Sequence, residues 1–149
     1  MKRLVIDTNL LVLLVVGTVD RSKIGRRRLE PFNASHLFTL IDFAKQFRSH
    51  VSTPNILTEA SNLIGSGRQQ LAVGAADALA AYIQNLEEVY VPSKECAVTR
   101  YYQNLGLADA GLGILSRRGD VVLTQDGPMY GMLLNDGLDI RNFWHMVEL

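Results

Sequence analysis

Cysteine is almost absent from this chain. Cys96 is the only one in 149 residues, which excludes a disulfide framework and a thiolate metal centre. A lone cysteine also fits a reducing compartment, so a cytoplasmic location is expected. Net charge is missing too. Lys and Arg together number 15, as do Asp and Glu, so the chain as a whole lacks the positive excess of a nucleic-acid coat. Neutrality in total still permits a local basic surface beside a local acidic one. His36, His50 and His145 are scattered without metal-ligand spacing and read as structural or surface groups. Neither a nucleophilic triad nor a glycine-rich phosphate loop is visible. Long hydrophobic runs are also lacking. Lys2 and Arg3 before an apolar stretch outline a short signal peptide, but Asp7, Thr8 and Asn9 interrupt it. Residues 10–16 are apolar throughout, far short of the ~20 residues that a membrane-spanning helix needs. No membrane partner is expected.

What is present alternates. Residues 3–6 read as a strand ending in Asp7-Thr8-Asn9, followed by a buried helix. Residues 18–33 are polar and irregular and carry Arg26, Arg27 and Arg28. Leu37, Leu40, Ile41, Ala44 and Phe47 fall at helical spacing across residues 34–48. Residues 50–52 suggest a short strand. Thr53-Pro54 then reads as an N-cap with proline at the first helical position, opening a helix that carries Glu59 and stops near Gly65 and Gly67. The spacing predicts an alanine-rich helix over residues 69–86, a strand at 89–91, and a helix capped by Ser93 that ends near Gly106. A helix over 107–118, a strand at 120–123, a helix from Gly127-Pro128 to Gly137 and a last strand at 139–143 complete the pattern. Short Val/Leu/Ile-rich strands alternating with helices predict one domain over residues 1–149. Its expected fold class is α/β, a three-layer α/β/α sandwich with a mostly parallel central sheet. The stripes at residues 10–16 and 34–47 serve either a core or a dimer or partner surface.

Four acids sit where short apolar segments meet helix starts or faces: Asp7, Glu59, Asp109 and Asp126. Ligands of open α/β sheets bind outside the carboxyl ends of the strands. Asp7 follows one predicted strand and Asp126 another, so both belong to the same sheet edge. Each acid has an ordinary explanation as well. Asp7 and Asp126 suit helix caps, Asp109 suits a first helical turn, and Glu59 suits a solvent-facing position. Taken together they suggest carboxylates gathered around a hard cation, Mg²⁺ or Mn²⁺, which favours oxygen ligands. A polyanionic substrate would then need basic groups at the rim. Arg26, Arg27 and Arg28 are candidates, with an ordinary solvated loop as the other reading. Arg117 and Arg118 are further candidates, although cations also suit the helix end they occupy. Tyr101 and Tyr102 could stack on bases or pack a helix against the sheet, and Trp144 suits a core or an interface.

The segments VIDTNLLV, TPNILTEASNLI and LADAGLGILSRRGDVVLTQD resemble, in that order, the motifs of the PIN domain. This nuclease fold is found in VapC-type toxins and several RNA-processing enzymes. The resemblance runs from residue 4 to residue 126. It implies a PIN-like fold and an Mg²⁺- or Mn²⁺-dependent endoribonuclease that hydrolyses phosphodiester bonds of single-stranded RNA. Asp7, Glu59, Asp109 and Asp126 would be its catalytic and metal-binding positions, with Thr8, Asn9 and Thr124 as polar support. It also implies a toxin-antitoxin system, with a small antitoxin protein and a homodimer among the partners. One departure is clear. Family members often carry a further acid or asparagine just after the last aspartate, where this chain has Gly127, Pro128 and Met129. That departure favours a non-catalytic PIN-like module binding RNA or a partner. Another metal-dependent phosphohydrolase is a third reading, against which Asp-Thr-Asn lacks the second aspartate of Asp-x-Asp phosphatases.

Overall fold

A computed structural model describes residues 1–147 of the chain. Among them are five short strands and eight α-helices. In chain order these are β1 (Leu4–Ile6), α1 (Thr8–Val19), α2 (Ala34–Ala44), β2 (Val51–Ser52), α3 (Pro54–Ile64) and α4 (Ala75–Asn85). They continue as β3 (Glu87–Glu88), α5 (Ser93–Ala97), α6 (Arg100–Leu105), α7 (Leu107–Arg117), β4 (Val121–Thr124), α8 (Gly127–Asn135) and β5 (Ile140–Asn142). Every strand pairing is parallel. β1, β4 and β5 form one sheet and β2 and β3 another. A parallel bridge between Leu4 and His50 joins the two, so the strands lie in the order β3-β2-β1-β4-β5. The chain leaves β1 to one side and returns to β4 on the other, which makes the gap beyond β1 and β4 a topological switch point.

The strand residues sort by face. Leu4, Ile6, Val121 and Leu123 pack into one apolar cluster, chiefly with α1 to α4. Val5 and Val122, between them in sequence, pack into a second with α7 and α8. That period-2 alternation, with helical cover for each set, gives an α/β arrangement compatible with a sandwich. Leu10, Leu11, Val12, Leu13, Val15 and Val16 are all buried, so residues 10–16 form a core helix rather than a partner surface. α2 is two-sided: Leu37 and Leu40 are buried, whereas Phe38 is exposed beneath the Arg21 guanidinium. No helix among the described residues is long and apolar enough to cross a membrane.

Several boundaries differ from expectation. α1 extends through Val19, into the stretch read as irregular. α2 stops at Ala44, and Phe47 folds back so that its ring meets Phe43 at 5.2 Å. The helix expected from residue 69 starts at Ala75, because Gly74 ahead of it has φ 90° and the chain makes a 3-10 turn at Gly67–Gln69. Strand β3 lies at Glu87–Glu88 instead of 89–91. Its partner is only Val51–Ser52, and pairing ends where the Val89 N–H donates to Ser52 O. One expected helix is two, α5 and α6, broken at Thr99, whose backbone is extended and whose hydroxyl donates to Cys96 O. The break turns Tyr101 into the core.

Tyr101 explains how α7 is seated. A Cβ at Gly113 would stand 2.5 Å from the Tyr101 ring, and one at Gly111 would stand 3.5 Å from Thr53 Oγ1. Two glycines in a helix interior sacrifice helical propensity for close approach. Gly113→Ala should therefore destabilise by about 1–3 kcal/mol through overpacking. Gly131, inside α8 with open space around it, supplies the control. Gly131→Ala should stabilise by up to ~1 kcal/mol. Urea unfolding of both variants checks the pair, and a stable Gly113→Ala would refute the packing argument.

Candidate active site

The topology brings the four acids to one edge. α1, α3 and α8 each start where a parallel strand ends, at its carboxyl end. α7 leads into β4 through a short turn and so begins at that same edge. Asp7 caps α1, with the Thr8 N–H donating to its Oδ1 at 2.7 Å. Asp126 caps α8, with the Met129 N–H donating to its Oδ1 at 3.1 Å. Asp109 lies in the first turn of α7, and Glu59 is an exposed residue of α3. For Asp7 and Asp126 capping and sheet-edge placement therefore hold together, since one geometry produces both, whereas Glu59 takes the solvent-facing helix position that its ordinary explanation gave it.

Register fixes the centre of the site. Ile6 pairs with Leu123, and the Asp7 N–H donates to Leu123 O at 2.9 Å. Asp7 thus lies beside Thr124, whose hydroxyl donates to Asp7 Oδ2. The same Thr124 oxygen accepts from the Asp126 N–H at 3.0 Å. Thr124 thus bridges the Asp7 carboxylate and the Asp126 backbone. Thr8 is buried with its hydroxyl unpartnered, and Asn9 is exposed beside it.

Electrostatics tie the acids together. Burial pushes the Asp7 carboxyl up to about 6, against the lowering effect of its Thr124 and Thr8 hydrogen bonds; the charges of Asp126 and Glu59 add to the rise. Asp109 is pushed up to about 8, first by burial and then by the charges of Asp7, Asp126 and Glu59. Among the described residues, Asp109 has neither a hydrogen bond nor an ion pair. As the side chains stand, no three His, Cys, Asp or Glu groups among those residues close on a single metal-ligating point. The donors on offer are oxygens, which suit a hard divalent ion rather than a soft one.

The rim is basic on one side only. A cavity of about 400 Å³ beside the cluster is lined by Asn9 and Gln125 together with Arg27, Arg28, Glu30 and Phe32. Arg26 lies further out, lining a different hollow. Arg117 and Arg118 are committed elsewhere. Arg117 pairs with Asp136 at 3.6 Å, and Arg118 with Glu95 at 3.1 Å. Tyr101 is a core residue whose hydroxyl donates to Asp136, while Tyr102 is exposed. Trp144 stacks on Phe32 at 5.5 Å. His36 closes a capping box on α2, and His50 bonds Tyr82 and Ala44 O; both are structural. Gln125 escaped the sequence reading although it stands between Thr124 and Asp126. Its Oε1 is buried and unpartnered. No family model, curated protein or solved structure matches this chain.

The raised carboxyls make a stability statement. Asp7 and Asp109 hold their protons more tightly folded than unfolded. The folded state is favoured below the unfolded carboxylate range, and that advantage is lost as pH rises through about 6 and then about 8. In EDTA, the melting temperature should fall by several degrees between pH 5 and pH 9, since ~1 kcal/mol moves a domain of this size by about 2–4 °C. Asp109→Asn should flatten the profile and melt higher than wild type at pH 8. Scanning calorimetry across that range decides it, and parallel profiles for the two proteins would exclude Asp109 as a source of the strain.

Proposed function

We propose that this protein is a metal-dependent endoribonuclease of PIN type, with Asp7, Glu59, Asp109 and Asp126 as its metal-binding and catalytic acids. The observation that carries the reading is the placement of four carboxylates at the switch point of a parallel sheet, with no cation among them. Such a cluster is unfavourable unless protons or a metal ion compensate it. Mg²⁺ or Mn²⁺ bound there would supply a water of lowered pKa and offset charge on the phosphodiester oxygens. The chain's own groups divide the remaining work. Thr124 and the Thr8 N–H hold Asp7 in one orientation, and the Met129 N–H holds Asp126. Asp109, which no hydrogen bond restrains, is the carboxyl whose charge a bound cation would change most. The order of the three motifs and the strand order β3-β2-β1-β4-β5 support a three-layer PIN-like fold.

A second reading has its own support. The acids do not converge at ligating distance as they stand, and Gly127, Pro128 and Met129 provide no later oxygen side chain. Both facts favour a non-catalytic module of the same fold. One assay separates the two readings. Purified protein is incubated with labelled single-stranded RNA, single-stranded DNA and a phosphomonoester, in Mg²⁺, Mn²⁺ or EDTA. RNA cleavage in either metal, abolished by EDTA, is the expected result. Asp7→Asn and Asp109→Asn should each lower the rate by about 100-fold or more while remaining folded. Millimolar Mn²⁺ should also raise the melting temperature of wild type more than that of either variant. A folded wild-type protein that neither binds Mn²⁺ nor cuts RNA would establish the module reading instead, and cleavage of the phosphomonoester alone would establish a phosphohydrolase.

The toxin role belongs to the same proposal. A toxin must be restrained in the cell that makes it, and the partly exposed α2 offers a surface for an antitoxin or a second copy. Inducible expression in a bacterial host should arrest growth with wild type but not with Asp7→Asn, and a small neighbouring gene should relieve the arrest. Unhindered growth with active wild-type protein would point to a housekeeping RNA-processing role.

A further inference from the structure

Charge is unevenly used across this neutral chain. Lys2, Arg3, Arg100, Arg117, Arg118 and Arg141 all pair with carboxylates. Among the described residues, Arg21, Lys45, Arg48 and Lys94 form no ion pair and are scattered; Lys23, Arg26, Arg27, Arg28 and Arg68 form none either, and these five line hollows that share walls. Arg27 and Arg28 border the cavity that reaches Asn9 and Gln125 at the acidic site. They also border a polar hollow of about 540 Å³ whose far wall holds Arg68, Asn62 and Gln69. Arg27 borders a third hollow with Lys23 and Arg26.

The loop that presents these arginines is built rather than loose. Leu29 and Phe32 are buried in the core on either side of exposed Glu30 and Pro31. Leu29 N–H donates to Arg26 O at 2.7 Å, and Gly25 N–H to Leu29 O at 3.0 Å. In this turn Arg28 takes φ 71°, and it is the one non-glycine residue with positive φ among those described. A type II turn favours glycine at that position. Placing a long cation there instead, against local preference, is the kind of backbone outlier that accompanies function.

We propose that Arg27, Arg28 and Arg68 form the two walls of a phosphate track that carries one flank of a single-stranded RNA up to the acidic edge. Lys23 and Arg26 extend it outward. The inference rests on the nuclease reading for its substrate, but not for its geometry. Concave hollows run between the loop and the α3–α4 turn, where Asn62 and Gln69 offer hydrogen-bonding groups. Cations spaced along a groove hold a backbone without reading its sequence.

Fluorescence anisotropy tests this with a labelled, unstructured RNA oligonucleotide in EDTA, where metal-dependent cleavage is stopped, over a series of salt concentrations. Wild type should bind. Arg68→Ala and the Arg27→Ala/Arg28→Ala pair should each weaken binding several-fold, and the salt slope should drop by about 0.7 for each contact removed. Arg28→Gly is the decisive variant, because it suits the turn. It should keep or raise the melting temperature and still lose affinity. Lys94→Ala, outside the groove, should bind as wild type does, and a duplex of the same sequence should bind less tightly than the single strand. Absent binding by wild type, unchanged slopes in the groove variants, or equal loss in Lys94→Ala would each overturn the track. Cleavage in Mn²⁺ by variants that bind normally would leave the nuclease reading standing and remove only the track. Groove-dependent binding without cleavage would do the reverse.

Discussion

The parallel pairing of β1 with β4 is the constraint from which the site follows. Ile6 opposite Leu123 places Asp7 against Thr124, and the threonine hydroxyl then engages Asp7 while accepting from the Asp126 backbone. A slip of one residue would send Leu4 and Ile6 to the face now served by Val5, because side chains alternate along a strand. It would also part Asp7 from Thr124. Burial of two different apolar clusters against the two faces therefore fixes more than stability. It sets which polar atoms meet at the strand ends.

That edge is electrostatically costly by construction. Burial and mutual repulsion push Asp7 and Asp109 toward their neutral forms. Helices α1, α3, α7 and α8 all begin there, and a helix N-terminus favours negative charge by about 0.3–1 kcal/mol at exposed positions. Two of the four acids also satisfy N-terminal backbone donors as caps. The fold thus softens the cluster with dipoles and hydrogen bonds but brings no lysine or arginine into it. A counter-cation from the chain would neutralise the site permanently, whereas dipoles leave the carboxylates available to a cation from solution.

How much of this was legible depended on whether the signal was local. Asp7 and Asp126 could be placed because one directly follows a short apolar run and the other lies just beyond one, and strand ends are marked in sequence by where that run stops. The α3 start was equally plain from Thr53-Pro54. The paired use of Asp7 by Thr124 was not legible, since it needs the register between residues 117 positions apart. β3 was misplaced because its position depends on the two-residue length of β2, which no feature of residues 87–91 records. The split between α5 and α6 arises from Tyr101 docking beside Gly113, a tertiary demand that outweighs helical spacing. Arg68 was passed over for the same reason. Nothing near it in sequence indicates the loop at residues 26–28 that faces it across a hollow.

The sorting of charge extends this logic beyond the site. A zero total conceals two populations. Cations near the strand starts and on α6 and α7 are bound to carboxylates, most of them at exposed positions where pairs contribute little stability. Pairing nevertheless removes them from competition for a polyanion. Cations beside the acidic edge are left unpaired, on a loop pinned by Leu29 and Phe32. Other unpaired cations, such as Lys45 and Arg48, line a separate hollow, but the five that share walls with one another do so beside the acidic edge. The acidic cluster repels a phosphate chain at short range, and a divalent ion bound there would relieve that repulsion. On the nuclease reading proposed above, attraction at the rim with repulsion at the centre would couple productive approach of the substrate to the presence of the metal, without any moving part.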